Sequence, residues 1–337
     1  MPKAYIGTYT KKESQGIYKV ELDLQGKVKN IESAAKIENP TYLDFSTDKQ
    51  YLYSVSKKDK NGAVTSFKIL PDGILEELTA VEKEGNPPCY VEISRDNKYL
   101  LSANYHTGTI DSYSVVDGKL SSLLSTDIHF GSSIHPRQEK PHVHFSGFTP
   151  DNKYVFSCDL GTDEITTYTL EHGILSKRYT TYVKNGSGPR HIIFDNTLTH
   201  AFVITELTSE VIVFDYDDGK LSNPTYYATL PANFFKENKG SAIKISNNNR
   251  FIYVSNRGQD SIVVFRNNNG SLTHIQTIST YGQNPRDFNL SEDNHLAIAT
   301  NETSGTITTY TVNTITGKLT AVDKEFPVPE AVCVKFY

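Results

Sequence analysis

The sequence predicts an all-β fold, a seven-bladed β-propeller with four-stranded blades, closed into a ring where the C-terminal strand joins the N-terminal blade. Three observations carry this. A six-residue apolar segment recurs seven times, starting at residues 4, 51, 99, 154, 201, 251 and 296 and reading AYIGTY, YLYSVS, YLLSAN, YVFSCD, AFVITE, FIYVSN and LAIATN. Its intervals of 47, 48, 55, 47, 50 and 45 residues mark a repeat architecture. The two ends of the chain are out of phase with each other. The first segment, at Ala4, has no partner stretch before it, and the last partner stretch, PEAVCVKFY from Pro329, has nothing after it.

Those partner stretches are PTYLDFSTDKQ, PCYVEISRDNK, PHVHFSGFTPDNK, PRHIIFDNTLTH, SAIKISNNNR and PRDFNLSEDNH. Each reads as a short strand followed by a polar turn, because Asp and Asn bond nearby backbone and tolerate left-handed dihedrals. One unit then comprises four strands: VEIS, YLLSAN, TIDSYSV and a last strand after a Gly-Lys-Leu turn. Phe, Tyr, Val, Ile and Thr fill these runs, as β-structure prefers, and no segment sustains a helical period of apolar residues. About seven four-stranded units fit a propeller. Closing the ring with the strand around Val332–Phe336 hides edges that would otherwise template aggregation. Two packed β-sandwiches would leave the matching half-repeats unexplained. No linker interrupts the phase, so residues 1–337 read as one domain.

Composition narrows the function classes. A formal net charge of -5 without a basic run argues against nucleic acid. The N-terminal MPKAYIGTYTKK lacks an apolar core of signal-peptide length, and no stretch approaches the roughly 20 apolar residues of a membrane span. Cys89, Cys158 and Cys333 are sparse, odd in number and without metal-type spacing, which fits a reducing cytoplasm. Cys158 and Cys333 fall in predicted strands and fit small core residues better than nucleophiles. A cytoplasmic protein, monomeric or weakly dimeric, with neither a cofactor nor a membrane partner, is the expectation.

In a propeller, the start of each blade's first strand lies beside the end of its second strand, and both open onto the central channel. The second-strand ends are Tyr9, Ser56, Asn104, Asp159, Glu206, Asn256 and Asn301, with Tyr105, Arg257 and Glu302 just after them. The first-strand starts are Tyr42, Tyr90, His142 with His144, Arg190 with His191, and Arg286 with Asp287. Ionisable groups concentrate in blades four to seven, as a site grafted onto a symmetric scaffold requires.

Alternation along a strand places His142 and His144 on one face, where an imidazole can act as a base near neutral pH. The pair also fits a structural role. A zinc site would need a third ligand from Glu206 or Asp159, and Arg190 opposes a cation there, so no metal is expected. Arg190, Arg257 and Arg286 entering one cavity would hold a phosphate or carboxylate through paired hydrogen bonds. The alternative is salt bridging to Asp159, Glu206, Asp287 or Glu302. Glu206 stands where other repeats carry Asn or Ser, and could orient a histidine, act as a base or pair with Arg190. Asp159 fits a turn-former. The longest interval contains an insertion with His135, Arg137 and Gln138, a loop placed to overhang the channel.

These residues resemble the seven-bladed propeller lactonases of the bacterial 6-phosphogluconolactonase type. The motifs that carry the resemblance are YIGTYTKKESQGIY, PCYVEISRDNKYLLSANY, RQ-x-x-PHVH, CDLGTDEI, GPRHI, TELTSEV, YVSNRGQDSI and NPRDFNL, and they run in register along essentially the whole chain. The chain is also similar to the fungal carboxymuconate lactonising enzymes, whose proposed His, Glu and two Arg fall on His144, Glu206, Arg190 and Arg257. His142 and His191 are additional here.

The resemblance implies hydrolysis of a small anionic sugar lactone, 6-phospho-D-glucono-1,5-lactone. His144 (or His142) would be the base, with Glu206 orienting it or taking the proton. Arg190 would polarise the carbonyl, and Arg257 and Arg286 would receive the phosphate. His191, Arg137, Gln138, Asn104, Tyr105, Asp159 and Glu302 complete the expected binding set.

Two alternatives are also compatible with the sequence. One is a lactonase or cyclase for another lactone. The other is a non-enzymatic scaffold, since FIYVSN and its relatives resemble YVTN-type surface-layer repeats. WD40 and kelch readings fail, because the chain has no Trp and no Gly-Gly pairs at blade spacing.

Overall fold

Second strands such as His200–Thr205 and Leu296–Asn301 are buried along their whole length, whereas fourth strands such as Ile174–Tyr182 alternate or face solvent. That gradient fits sheets packed on both faces near an axis and freed at the rim. A computed structural model of the chain, describing residues 1–337, has this arrangement as seven antiparallel sheets with no α-helix. The first strands of blades two to seven are Leu43–Phe45, Tyr90–Ile93, Val143–Phe148, Pro189–Phe194, Lys239–Ile245 and Pro285–Leu290. Blade one takes its innermost strand from the other end of the chain: Ala331–Phe336 pairs with Lys3–Thr8, setting Ile6 opposite Val334. The rim of blade seven departs from the expected single strand. It is split into Leu319–Ala321 and Phe326–Pro327, both paired with Thr306–Val312.

The polar turns after the first strands repeat one local chemistry. Ser46, Ser94, Thr149, Ser246 and Ser291 donate to Asp48, Asp96, Asp151, Asn248 and Asp293, at 2.6 to 2.7 Å. The same turns join neighbouring blades. The backbone N–H groups of Thr47, Arg95, Asn196 and Asn247 donate to the side-chain oxygens of Asn97, Asn152, Asn249 and Asn294. Further out, Tyr253 Oη donates to the carbonyl of Gly317. That glycine has φ +75°, and a Cβ there would stand 2.4 Å from Phe251.

One irregularity bears directly on the site. The ladder between first and second strands slips between Val143 and Phe145, Pro189 and His191, Gly240 and Ile243, and Pro285 and Asp287. His144, Arg190, the Ser241–Ala242 pair and Arg286 therefore sit on β-bulges at equivalent positions of four consecutive blades. A bulge leaves a residue unpaired and re-aims its side chain.

Candidate active site

Two of the bulged residues, His144 and Arg286, open on a cavity of about 580 Å³ at the channel mouth. Among its lining residues are His144, Glu206, Arg137, Arg257, Arg286 and Tyr105, together with Tyr9 and Cys89. Six cationic side chains reach it, those of Lys11, Lys57, Arg137, Lys239, Arg257 and Arg286, against one carboxylate, that of Glu206.

Glu206 follows the second strand of blade five, fixed by its N–H on Gly188 O at 2.7 Å. Its buried carboxylate gathers three guanidiniums: Arg137 at 2.6 Å, Arg257 at 2.6 Å and Arg190 at 3.1 Å. Burial alone would raise its pKa, but Arg257 and Arg190 overcome that and hold the carboxyl well below its ordinary range. So held, Glu206 is a poor proton acceptor. Its hydrogen bonds go to arginines, and none goes to a histidine.

Around this hub, several donors have no protein partner. Arg137 Nη1, Arg257 Nε and His144 Nδ1 are buried and unpaired. Arg286 lies 5.9 Å from the Tyr9 ring. Burial works against its charge, yet Tyr9, Glu302 and Glu206 keep its pKa above the usual arginine value. His144 is buried, and burial first and Arg190 second push its pKa well below the ordinary imidazole value. Together they hold it as a neutral imidazole, a weaker base than an exposed histidine but one with an unpaired ring nitrogen. Unpaired buried donors cost free energy in the empty protein, so a cluster of them is a place built for a ligand's oxygens.

The other expected residues lie behind this wall. Arg190 is 2% exposed, and its Nη1 donates to Ser241 O at 2.6 Å while Nε holds Glu206. Its pKa falls to about 9, through burial and then the charges of Arg257 and Arg286. It braces the hub and does not line the cavity.

His142 and His144 do not share a face, because the bulge after Val143 breaks the alternation. His142 stacks on Tyr105 (ring centroids 4.1 Å apart, planes at 15°) and bonds Tyr105 O through Nδ1 at 2.8 Å. The bulge between Pro189 and His191 has the same effect on the next blade, directing His191 toward Tyr42 and Tyr90. Asp159 is a structural anchor, accepting from the N–H groups of His142 and Gly161 and pairing with His129. With Asp159 and Glu206 so committed, the third zinc ligand has no source. Gln138 ties the insertion to Leu160 O, Asn104 caps its own turn through His106 and Thr107, and Glu302 accepts from Asn284.

Sequence reasoning passed over Lys11, Lys57, His106 and Lys239, all of which line the cavity. Lys11, Lys57 and His106 lie one or two residues beyond positions already placed on the ring (Tyr9, Ser56 and Asn104), whereas Lys239 opens the first strand of blade six, a blade given no first-strand residue on that ring. Following each second-strand end into its loop finds the first three.

At the far ends of the first strands a second chamber, about 450 Å³, closes the channel's opposite side, lined by Tyr42, Asp44, Tyr90, Glu92, His191 and Lys335 among others. There Lys335 pairs with Asp44 at 3.1 Å, and Glu92 accepts from Phe148 N and from Tyr90 Oη.

Residues 3–336 match the family described as lactonase, 7-bladed beta-propeller. The chain is 40% identical over 341 residues to a 6-phosphogluconolactonase of Bacillus subtilis, covering 98% of this chain and 97% of that protein. A crystal structure of a Lactobacillus plantarum protein superposes with a TM-score of 0.96 at 37% identity, each chain fully covered. The periplasmic gluconolactonase PpgL of Pseudomonas aeruginosa superposes with a TM-score of 0.93 at 29% identity, over 99% of this chain and 98% of that one. This chain belongs to the seven-bladed β-propeller lactonases, enzymes that hydrolyse lactones.

Proposed function

We propose that the mouth cavity is the active site and that its substrate is 6-phospho-D-glucono-1,5-lactone, hydrolysed to 6-phospho-D-gluconate in the pentose phosphate pathway. The observation that carries this reading is the charge imbalance of the cavity, six cations against the one carboxylate of Glu206. An uncharged lactone would leave that imbalance unanswered, whereas a phosphate monoester, with about two negative charges, offsets part of it. The Bacillus subtilis relative supports the same substrate. The three free cysteines fit a cytoplasmic location.

Neutral His144 accepts a proton from water as the water oxygen attacks the lactone carbonyl. The unpaired Arg257 Nε and Arg137 Nη1 face the oxyanion that develops, the type of preorganised help that dominates acyl transfer. When the tetrahedral intermediate collapses, the ring C–O bond breaks and the imidazolium returns its proton to the leaving alkoxide. The new carboxylic acid then ionises to solvent. Arg190 acts one step back, holding Glu206 and through it both flanking arginines. Arg286 receives the 6-phosphate.

The test is hydrolysis of freshly made phosphorylated and unphosphorylated gluconolactone, corrected for spontaneous opening. Wild type should prefer the phosphorylated substrate, and His144→Ala should lower kcat by about 10²–10⁴-fold. An undiminished rate in folded His144→Ala removes the assigned base. Equal rates on the two lactones would favour an unphosphorylated sugar lactone, the substrate type named for the Pseudomonas relative.

A further inference from the structure

Arg286 does not face the cavity alone. Tyr9, at the end of the second strand of blade one, carries Lys11 Nζ 4.0 Å from its ring centroid and Arg286 5.9 Å from it. Blades one and seven are neighbours where the ring closes, so two cations from opposite ends of the chain meet at one aromatic ring. Cation–π attraction holds each there without using its N–H donors.

The loop presenting Lys11 is firmly built. Glu330, from the closing segment, accepts the backbone N–H groups of Lys11 at 3.0 Å, Lys12 at 2.9 Å and Ser14 at 3.3 Å. Its own carbonyl accepts from Tyr9 N at 3.0 Å. On the other side, Thr10 and Asn39 exchange hydrogen bonds at 3.2 and 3.1 Å. At the base, Thr8 Oγ1 bonds Ser14 Oγ and Gly16 O, each at 2.6 Å. The Glu330 carboxylate is thus committed to backbone, and the Lys11 ammonium, in no ion pair, stays unneutralised above the cavity. Glu206, in turn, draws Arg137, Arg190 and Arg257 toward blades four to six. The cavity therefore has two cationic sectors of different construction, one hydrogen-bonded to a carboxylate and one set against an aromatic ring.

We infer that Lys11 and Arg286, set around Tyr9 by the Glu330-pinned loop, form a subsite for a phosphate monoester. Lys11 is then a specificity-determining residue at the seam of the ring. The subsite rests on the phospholactonase reading for its natural ligand, although its chemistry, a dianion between a guanidinium and an ammonium, stands on the geometry alone.

The experiment titrates inorganic phosphate into wild type, Lys11→Met and Arg286→Met by calorimetry, then measures the kcat/KM ratio for phosphorylated over unphosphorylated gluconolactone. Each substitution removes charge-assisted hydrogen bonds to phosphate, so each should weaken phosphate binding about tenfold or more. Each should also lower the selectivity ratio by a similar factor. Glu330→Ala, which leaves both cations in place but loosens the loop, should weaken phosphate binding less than Lys11→Met does. Lys11 is exposed, so its variant tests the subsite even where Arg286→Met does not fold.

Wild type that binds no phosphate, or phosphate affinity unchanged in Lys11→Met, overturns the subsite. Phosphate binding that depends on Lys11 in a protein that accelerates neither lactone leaves the subsite standing and removes the proposed reaction. Phospholactonase activity indifferent to Lys11 does the reverse.

Discussion

At the mouth of the channel, six lysines and arginines converge on a cavity whose one carboxylate, Glu206, is shared among three of the chain's guanidiniums. At the opposite end, Lys335 lies 3.1 Å from Asp44 and Lys244 lies 3.6 Å from Asp287, among Tyr42, Tyr90 and Phe145. Both sets stand on or beside the same first strands, a few residues apart along the chain. What separates them is neutralisation. Charges that find partners within the fold hold the blades together: Lys335 of the closing strand bonds Asp44 of blade two, one blade beyond its own. Charges that find none are costly in the empty protein, and they collect at the mouth cavity.

The most disruptive test of this contrast is Glu206→Gln. Three guanidiniums would then face a neutral amide in a buried site, and breaking one partner from a buried ionic cluster costs about 3–5 kcal/mol. Denaturant unfolding should register a loss of that size, and kcat should fall with it because Arg137 and Arg257 lose their anchor. Stability and turnover both close to wild type would mean that the hub organises nothing.

Lys335→Met probes the other end. The pair is mostly buried, with side chains 19% and 16% exposed. Loss of a charged hydrogen bond there should cost about 2 kcal/mol and leave KM for the lactone unchanged. A large rise in KM would erase the distinction between the two ends.

The ends also separate by pH. Burial first, and the Asp44 charge second, push Glu92 up from its ordinary 4.5 to about 7. Between those values the folded protein holds a proton that the unfolded chain has released. Stability therefore falls as pH rises through that window, and the full penalty is present above pH 7. Glu92→Gln should flatten the stability profile between about pH 5 and 7 and make the protein relatively more stable at pH 8. A wild-type profile already flat in that range contradicts the assignment.

The ring itself was legible in the sequence. A period of about 50 residues with complementary half-repeats at its ends leaves few other topologies, and of the strand ends named from it Tyr9, Tyr105, His144, Glu206, Arg257 and Arg286 line the mouth cavity. Side-chain direction was less legible. Alternation along a strand predicts one face for His142 and His144, and one bulged residue reverses that prediction. The slip at Arg190 instead leaves its Nη1 3.3 Å from His191 Nε2. Bulges leave little trace in composition, because the extra residue is of whatever type the site requires. The role of Glu206 was legible only in part. Pairing with Arg190 could be anticipated, but the arrival of Arg137 from a loop some 70 residues away in sequence depends on tertiary packing.

The two histidines give the smallest expected effect and the finest discrimination. His142 stacks on Tyr105 and bonds its carbonyl, outside the cavity wall, while His144 lines the cavity with Nδ1 unpaired. His142→Phe keeps an aromatic ring against Tyr105 and removes one hydrogen bond, a change of about 1 kcal/mol or less in stability. Turnover should stay within about fivefold of wild type, since one such hydrogen bond corresponds to a factor of that order. If His142→Phe instead lost as much activity as His144→Ala, a proton would have to pass through the outer imidazole. Its partner on that side, Glu139 at 3.3 Å, would then become the next residue to test, because a relay needs an acceptor beyond the second ring.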